Sequence, residues 1–149
     1  MLTPLNSFDE LSPDQGFAFG SFALSQDEII AYASKYDPQP FHLDPEAARA
    51  APLFGGLVAS GLHTMGCCFG LIMGSGLFRA VSLGGSQIDT KWPAPLRPDE
   101  TVAVTGQVER LTPSRSRPEL GVAIIRYTGT RIADQRPVIE MVATHFLKR

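Results

Sequence analysis

Residues 52–78 read PLFGGLVASGLHTMGCCFGLIMGSGLF, with no Asp, Glu, Lys or Arg from Pro52 to Phe78. A run of that length can cross a membrane, and Gly66, Gly70 and Gly74 repeat at the spacing used for close helix packing there. Against a span stand the Gly55-Gly56 pair, the polar Ser60, His63 and Thr64, and the lack of a flanking belt of Trp and Tyr. The alternative is a helix from about Ser60 to Phe78, buried on all sides inside a domain. Its spaced glycines would let a wrapping sheet approach the helix backbone. At about 1.5 Å per residue such a rod is roughly 27 Å long. No membrane is expected.

Downstream the chain is strand-like. Ala80–Lys91, Thr101–Leu111, Leu120–Ile132 and Pro137–Leu147 are separated by Pro93-Ala94-Pro95, Pro98-Asp99, Pro113-Ser114 and Ala133-Asp134-Gln135. Upstream, Phe17–Leu24 alternates moderately and reads as a first strand. Ser25 followed three residues later by Glu28 has capping-box spacing. Ile29, Ile30, Ala33 and Tyr36 then share a face, so Ser25–Tyr36 is a short amphipathic helix that Pro38 stops. Asp44-Pro45-Glu46 opens another through Arg49, with a side-chain cap and proline in the first turn.

These elements make an α+β domain. An antiparallel sheet needs cover for its apolar face, and only the charge-free helix is long enough to give it. The expected architecture is the hot-dog fold, a sheet wrapped around one long central helix. Residues 1–16 read as an irregular lead-in and 17–149 as a single domain.

Composition narrows the function. The 149 residues are 44% hydrophobic and 19% charged, as in globular proteins. The only cysteines, Cys67 and Cys68, are adjacent and make no disulfide scaffold, which suits a reducing cytoplasm. Met1–Leu11 has neither the basic start nor the apolar run of a secretory signal. A net charge of -2 argues against nonspecific nucleic-acid binding. Residues 1–78 carry two basic and eight acidic side chains, and residues 79–149 carry eleven and seven. The basic second half suits either a polyanion such as coenzyme A or an acyl carrier protein, or an ordinary solvated surface. Arg97, Arg115 and Arg117 are open to the same two readings. No His/Cys/Asp cluster has metal-ligand spacing, and no phosphate loop or dinucleotide fingerprint is present, so neither metal nor cofactor is expected.

The chemistry-bearing stretch is Tyr36-Asp37-Pro38-Gln39-Pro40-Phe41-His42-Leu43-Asp44. On a helix, Asp37 and His42 would sit about 140° apart, and fully extended they would be on the order of 15 Å apart. They converge only if Pro38 and Pro40 lie in a bend. Two readings follow. Asp37 caps a turn and His42 is a partly buried loop residue, or the two hold one water between a carboxylate and an imidazole able to exchange a proton near neutral pH.

The stretch resembles the signature of the MaoC-like, type 2 (R)-specific enoyl-CoA hydratases, in which Asp-x-Asn-Pro-aliphatic-His is followed by Ala-containing sequence. Asp37, Pro40, His42 and Ala47-Ala48 match. Tyr36 stands where glycine is usual, Gln39 replaces Asn, and Phe41 replaces the aliphatic residue. Phe54–Gly61 resembles the approach to that family's helix, Trp92–Asp99 its Trp…Pro turn, and Ser114–Pro118 its Ser-rich strand junction.

The resemblance implies hydration of trans-2-enoyl thioesters, or dehydration of 3-hydroxyacyl thioesters. Asp37 would accept a proton from water while His42 orients it and helps protonate the α-carbon. Gln39 keeps amide chemistry on a longer arm. Ser60 and Gly61 fall at the cap and first turn of the apolar helix, whose free amides and dipole suit a developing enolate oxygen. The Gly61 amide or one of its immediate neighbours is the expected donor, and Ser60 as a helix cap alone is equally compatible. His63 is assigned either to substrate or to packing; His145 has no nearby ligand partner in sequence. The resemblance further implies an acyl-CoA or acyl-carrier thioester as substrate, and a homodimer or higher homo-oligomer with its acyl site at the subunit boundary. Two rivals share the architecture: a hot-dog thioesterase and a noncatalytic acyl-binding module.

Overall fold

The computed structural model describes residues 2–149. Its strands are β1 (Gly16–Phe22), β2 (Ser82–Lys91), β3 (Val102–Pro113), β4 (Leu120–Arg131) and β5 (Arg136–Lys148). They form one antiparallel sheet in the order β1-β3-β4-β5-β2. Four helices lie between β1 and β2: α1 (Gln26–Tyr36), α2 (Pro40–Leu43), α3 (Pro45–Ala50) and α4 (Gly61–Gly74). The α+β hot-dog arrangement is present, with α4 packed against β1, β3 and β5.

Local chemistry sets most boundaries. Ser25 and Glu28 form the full capping box of α1, with the Glu28 amide donating to Ser25 Oγ at 3.2 Å and the Ser25 amide to Glu28 Oε2 at 2.8 Å. Asp44 caps α3, accepting from the Glu46 amide at 2.8 Å, and Pro45 supplies the preset first turn. The lead-in contributes to the core: Leu5, Phe8 and Leu11 are buried, and a Cβ on Gly121 of β4 would enter the Phe8 ring.

The central helix departs from expectation in three ways. It ends at Gly74 rather than near Phe78, because Gly76 turns the chain at φ +82° and Leu77 and Phe78 are buried beyond it. Its 14 residues give a rod of roughly 21 Å. It is also not buried all round: Thr64, Cys68 and Ile72 form the covered stripe, whereas Leu62 and Met73 are exposed. Finally, its glycines do not admit the sheet. A Cβ on Gly66, Gly70 or Gly74 would meet nothing within 4 Å, while one on Gly129 of β4 would stand 2.6 Å from Ile139 Cγ2 and 3.3 Å from Cys68 Sγ. The bare backbone that lets helix and sheet approach is on the sheet.

Ile125 and Tyr127 of β4 and Ile139 and Met141 of β5 are fully buried in the same core cluster as Cys68 and Ile72. Each such side chain contributes about 1.5–3 kcal/mol through burial. β2 lies at the sheet's edge and is exposed along almost its whole length, Leu83 and Ile88 included. Among the described residues no helix is long and apolar enough to cross a membrane.

Candidate active site

The two prolines build the bend by ending one helix and starting the next. Asp37 follows the last residue of α1, its amide donating to Ala33 O at 2.9 Å. Pro38 cannot extend that helix. Pro40 begins α2 as its first residue, a start signal that the sequence reading passed over. The Gln39 amide donates to Asp37 O at 2.8 Å, and the His42 amide to Gln39 O at 2.9 Å. The folded turn brings His42 Nε2 to 3.4 Å from Asp37 Oδ2.

Each partner is held from a different part of the chain. His42 is buried, and its Nδ1 lies 2.7 Å from the carbonyl of Val58. A carbonyl has no proton to give, so Nδ1 is the donor and the neutral ring keeps its lone pair on Nε2. The Asp37 carboxylate accepts from Ser60 Oγ through Oδ2 at 2.6 Å and from Gln39 Nε2 through Oδ1 at 2.7 Å. The Ser60 hydroxyl, then the Gln39 amide, hold its carboxyl below the usual carboxylate range.

Ser60 is also the cap of α4, accepting from the Leu62 amide at 3.3 Å. Gly61, at the first helical position, has no carbonyl inside the helix to donate to. The Trp92 indole lies on its Cα and donates from Nε1 to Gly61 O at 3.0 Å. A Cβ on Gly61 would stand 2.7 Å from that ring.

Asp37, His42, Ser60 and Gly61 line one cavity of about 550 Å³, together with Gln39 and an apolar wall that includes Phe41, Phe54, Trp92, Leu96 and Val138. Phe41 and Phe54 pair at 5.1 Å between ring centres. Arg97 is part of the wall's framework: its guanidinium donates to the Phe54 carbonyl, and its amide donates to Glu100 Oε2 at 2.8 Å. Arg131 ties Glu100 and the Pro95 carbonyl together at 3.0 and 3.2 Å. Arg97 is thus turned onto protein backbone, while Arg115 and Arg117 are exposed between β3 and β4.

His63 does not line this cavity. It stacks on Tyr32 of α1, 4.2 Å apart and 5° from parallel, with Nδ1 buried and unpartnered. Burial pushes its pKa down, against a smaller upward pull from Glu28. His145 is buried near Phe78 with Nε2 2.9 Å from Tyr127 Oη, and burial pushes its pKa down to about 4.

A family model described as "MaoC like domain" matches residues 10–127. The Bacillus subtilis (strain 168) protein named "Uncharacterized protein YdeM" is 30% identical over 118 residues, covering 78% of this chain and 82% of that one. The crystal structure of the MaoC-like dehydratase from Rhodospirillum rubrum is 34% identical, with a TM-score of 0.88 and 95% of each chain covered. The unliganded R-hydratase PhaJ1 from Pseudomonas aeruginosa matches with a TM-score of 0.70 at 16% identity, over 94% of this chain and 84% of that one, a likeness of fold.

Proposed function

The chain belongs to the MaoC-like dehydratase domain family, and on that footing we propose that it hydrates trans-2-enoyl thioesters or runs the reverse dehydration of 3-hydroxyacyl thioesters. The observation that carries this reading is the pair Asp37 and His42, 3.4 Å apart at the polar end of an apolar cavity and beside the amino end of α4.

A water placed between the two gives a proton to His42 Nε2 as its oxygen bonds to the β-carbon. The electrons of the double bond move toward the thioester, and the enolate oxygen is received by the Gly61 amide. The imidazolium, steadied by the Asp37 anion, then returns the proton to the α-carbon. Water is added and no charge is left over; dehydration retraces the same steps. The sequence and the resemblance leave the split of proton transfer between Asp37 and His42 open. The donors on both Asp37 oxygens and the lone pair on Nε2 favour His42. General acid–base catalysis of this kind contributes about 10²–10⁴-fold, and one oxyanion donor about 3 kcal/mol. The acyl group, carried on coenzyme A or a carrier protein, lies along the Phe41, Phe54 and Leu96 wall. No cofactor enters.

Incubation with crotonyl-CoA tests this. The expected result is loss of enoyl absorbance without release of free thiol. Free thiol would make the protein a thioesterase. Ligand binding without turnover at every chain length would make it a noncatalytic acyl-binding module.

The same reading carries a homodimer with the acyl site at the subunit boundary. It is supported by the unpaired outer edge of β2 and by exposed Leu62, Met73, Leu83 and Ile88. Light scattering should give twice the chain mass; a monomer at working concentrations counts against it.

A further inference from the structure

We propose that Ser60 and Gln39 are positioning residues that clamp the Asp37 carboxylate from both sides, with Ser60 joining that carboxylate to the amino end of α4 through a single hydroxyl. The purpose assigned to the clamp rests on the hydratase reading; the clamp itself is read from Asp37 directly.

The hydrogen-bond directions permit one arrangement. An ionised carboxylate only accepts, so the lone proton of Ser60 Oγ points at Asp37 Oδ2, 2.6 Å away. The oxygen lone pairs are then free for the Leu62 amide at 3.3 Å. The result is a directed chain, Leu62 N–H to Ser60 O–H to Asp37, in which each donor polarises the next. The chain delivers the positive end of the α4 dipole to the anion. Gln39 closes the other side, its Nε2 on Oδ1 at 2.7 Å and its own amide on the Asp37 carbonyl at 2.8 Å.

The terminal torsion of an aspartate is broad when free. Donors on both oxygens fix the plane of the carboxylate and leave the Oδ2 edge turned toward His42. Ser60 comes from 23 residues along the chain and is 1% exposed, so the grip is built into the fold, not made by a mobile surface group. Gln39 is exposed and can be changed without disturbing the core. The ionisable groups around the carboxylate are His42 on α2 and Tyr32 on α1, with His63 of α4 stacked behind Tyr32.

The test is a carboxyl-carbon NMR titration of the full chain labelled at aspartate, with the Asp37 resonance assigned through Asp37→Asn. In the unaltered protein Asp37 titrates below ordinary aspartates. Ser60→Ala should raise its midpoint most, Gln39→Ala should raise it less, and Ser60→Thr, which keeps the hydroxyl, should restore it. With crotonyl-CoA, Ser60→Ala should lower kcat about ten- to a hundredfold while KM changes less. Midpoints that do not move in either alanine variant overturn the proposal, since helix capping and loop packing alone would leave them fixed. If Ser60→Ala fails to fold, Gln39→Ala decides alone by the same criterion. Midpoints that move in a protein inert toward enoyl thioesters leave the clamp standing and remove the hydratase reading.

Discussion

Two buried imidazoles, His42 beside the amino end of α4 and His145 on β5, mark regions of opposite character. His42 is 5% exposed and His145 6%, so burial does not separate them. Their partners do. His42 faces a carboxylate held ionised by two donors, keeps its lone pair on the ring nitrogen nearer that anion, and borders a cavity. His145 has a phenol hydroxyl on Nε2 and an aromatic ring over its face, and among the described residues no carboxylate is hydrogen-bonded to it or within ion-pairing distance. A buried imidazole becomes a proton carrier when an anion balances the charge it takes up; without one, burial keeps it neutral.

The widest gap between the two regions should appear in turnover. Asp37→Asn and His42→Ala should each lower kcat by about 10²–10⁴-fold, with melting temperature little changed, whereas His145→Gln should leave kcat unaltered at neutral pH. Steady-state kinetics on the three variants decides this. Near-normal activity in either of the first two, or loss of activity in the third, ends the contrast.

The next effect is on stability and separates the regions by pH. The His145 pKa is pushed from its ordinary 6.5 down to about 4 by burial. Between those values the unfolded chain takes a proton that the folded chain refuses, so stability is full above about 6.5 and falls as pH drops. The loss reaches about 3 kcal/mol near pH 4. Lowered His63 acts in the same direction, and the depressed carboxylates Asp37, Glu28 and Asp134 add their share at more acidic pH. Denaturant melts from pH 7 to 4 should therefore show a shallower decline in His145→Gln than in the unaltered protein. An unchanged slope would mean that burial does not hold His145 neutral in the folded protein.

The smallest effect concerns the bare backbone at the start of α4. Gly61→Ala places a methyl against the Trp92 indole, which should cost about 1–3 kcal/mol of stability and lower kcat by displacing the neighbouring amide. Since Trp92 is 46% exposed, Trp92→Ala should relieve the stability loss when combined with Gly61→Ala. A double variant no more stable than Gly61→Ala alone would show that the contact is not what makes glycine necessary there.

Much of this was legible in the residue order, and the legible parts are local. The Ser25–Glu28 box, the Asp44-Pro45 start of α3, the strands and the charge-free segment each depend on groups within a few positions of one another. Short-range hydrogen bonds and hydrophobic period leave such marks in any chain. The Asp37-Pro-Gln-Pro-Phe-His42 stretch is legible for the same reason, since Pro38 stops the helix before it and Asp37 and His42 can converge only through a bend. Where α4 stops, which of its faces is covered, and that Gly129 rather than the helix glycines gives close approach were settled by packing against strands far away in sequence. So were the Val58 carbonyl on His42, the Ser60 hydroxyl on Asp37, the Tyr32 ring on His63 and the Phe54 carbonyl on Arg97. Sequence determined which groups were present and how each short segment would bend. Only the tertiary structure decided which of them meet, because a long-range contact is fixed by the shared burial of many side chains and leaves no periodic trace in either segment.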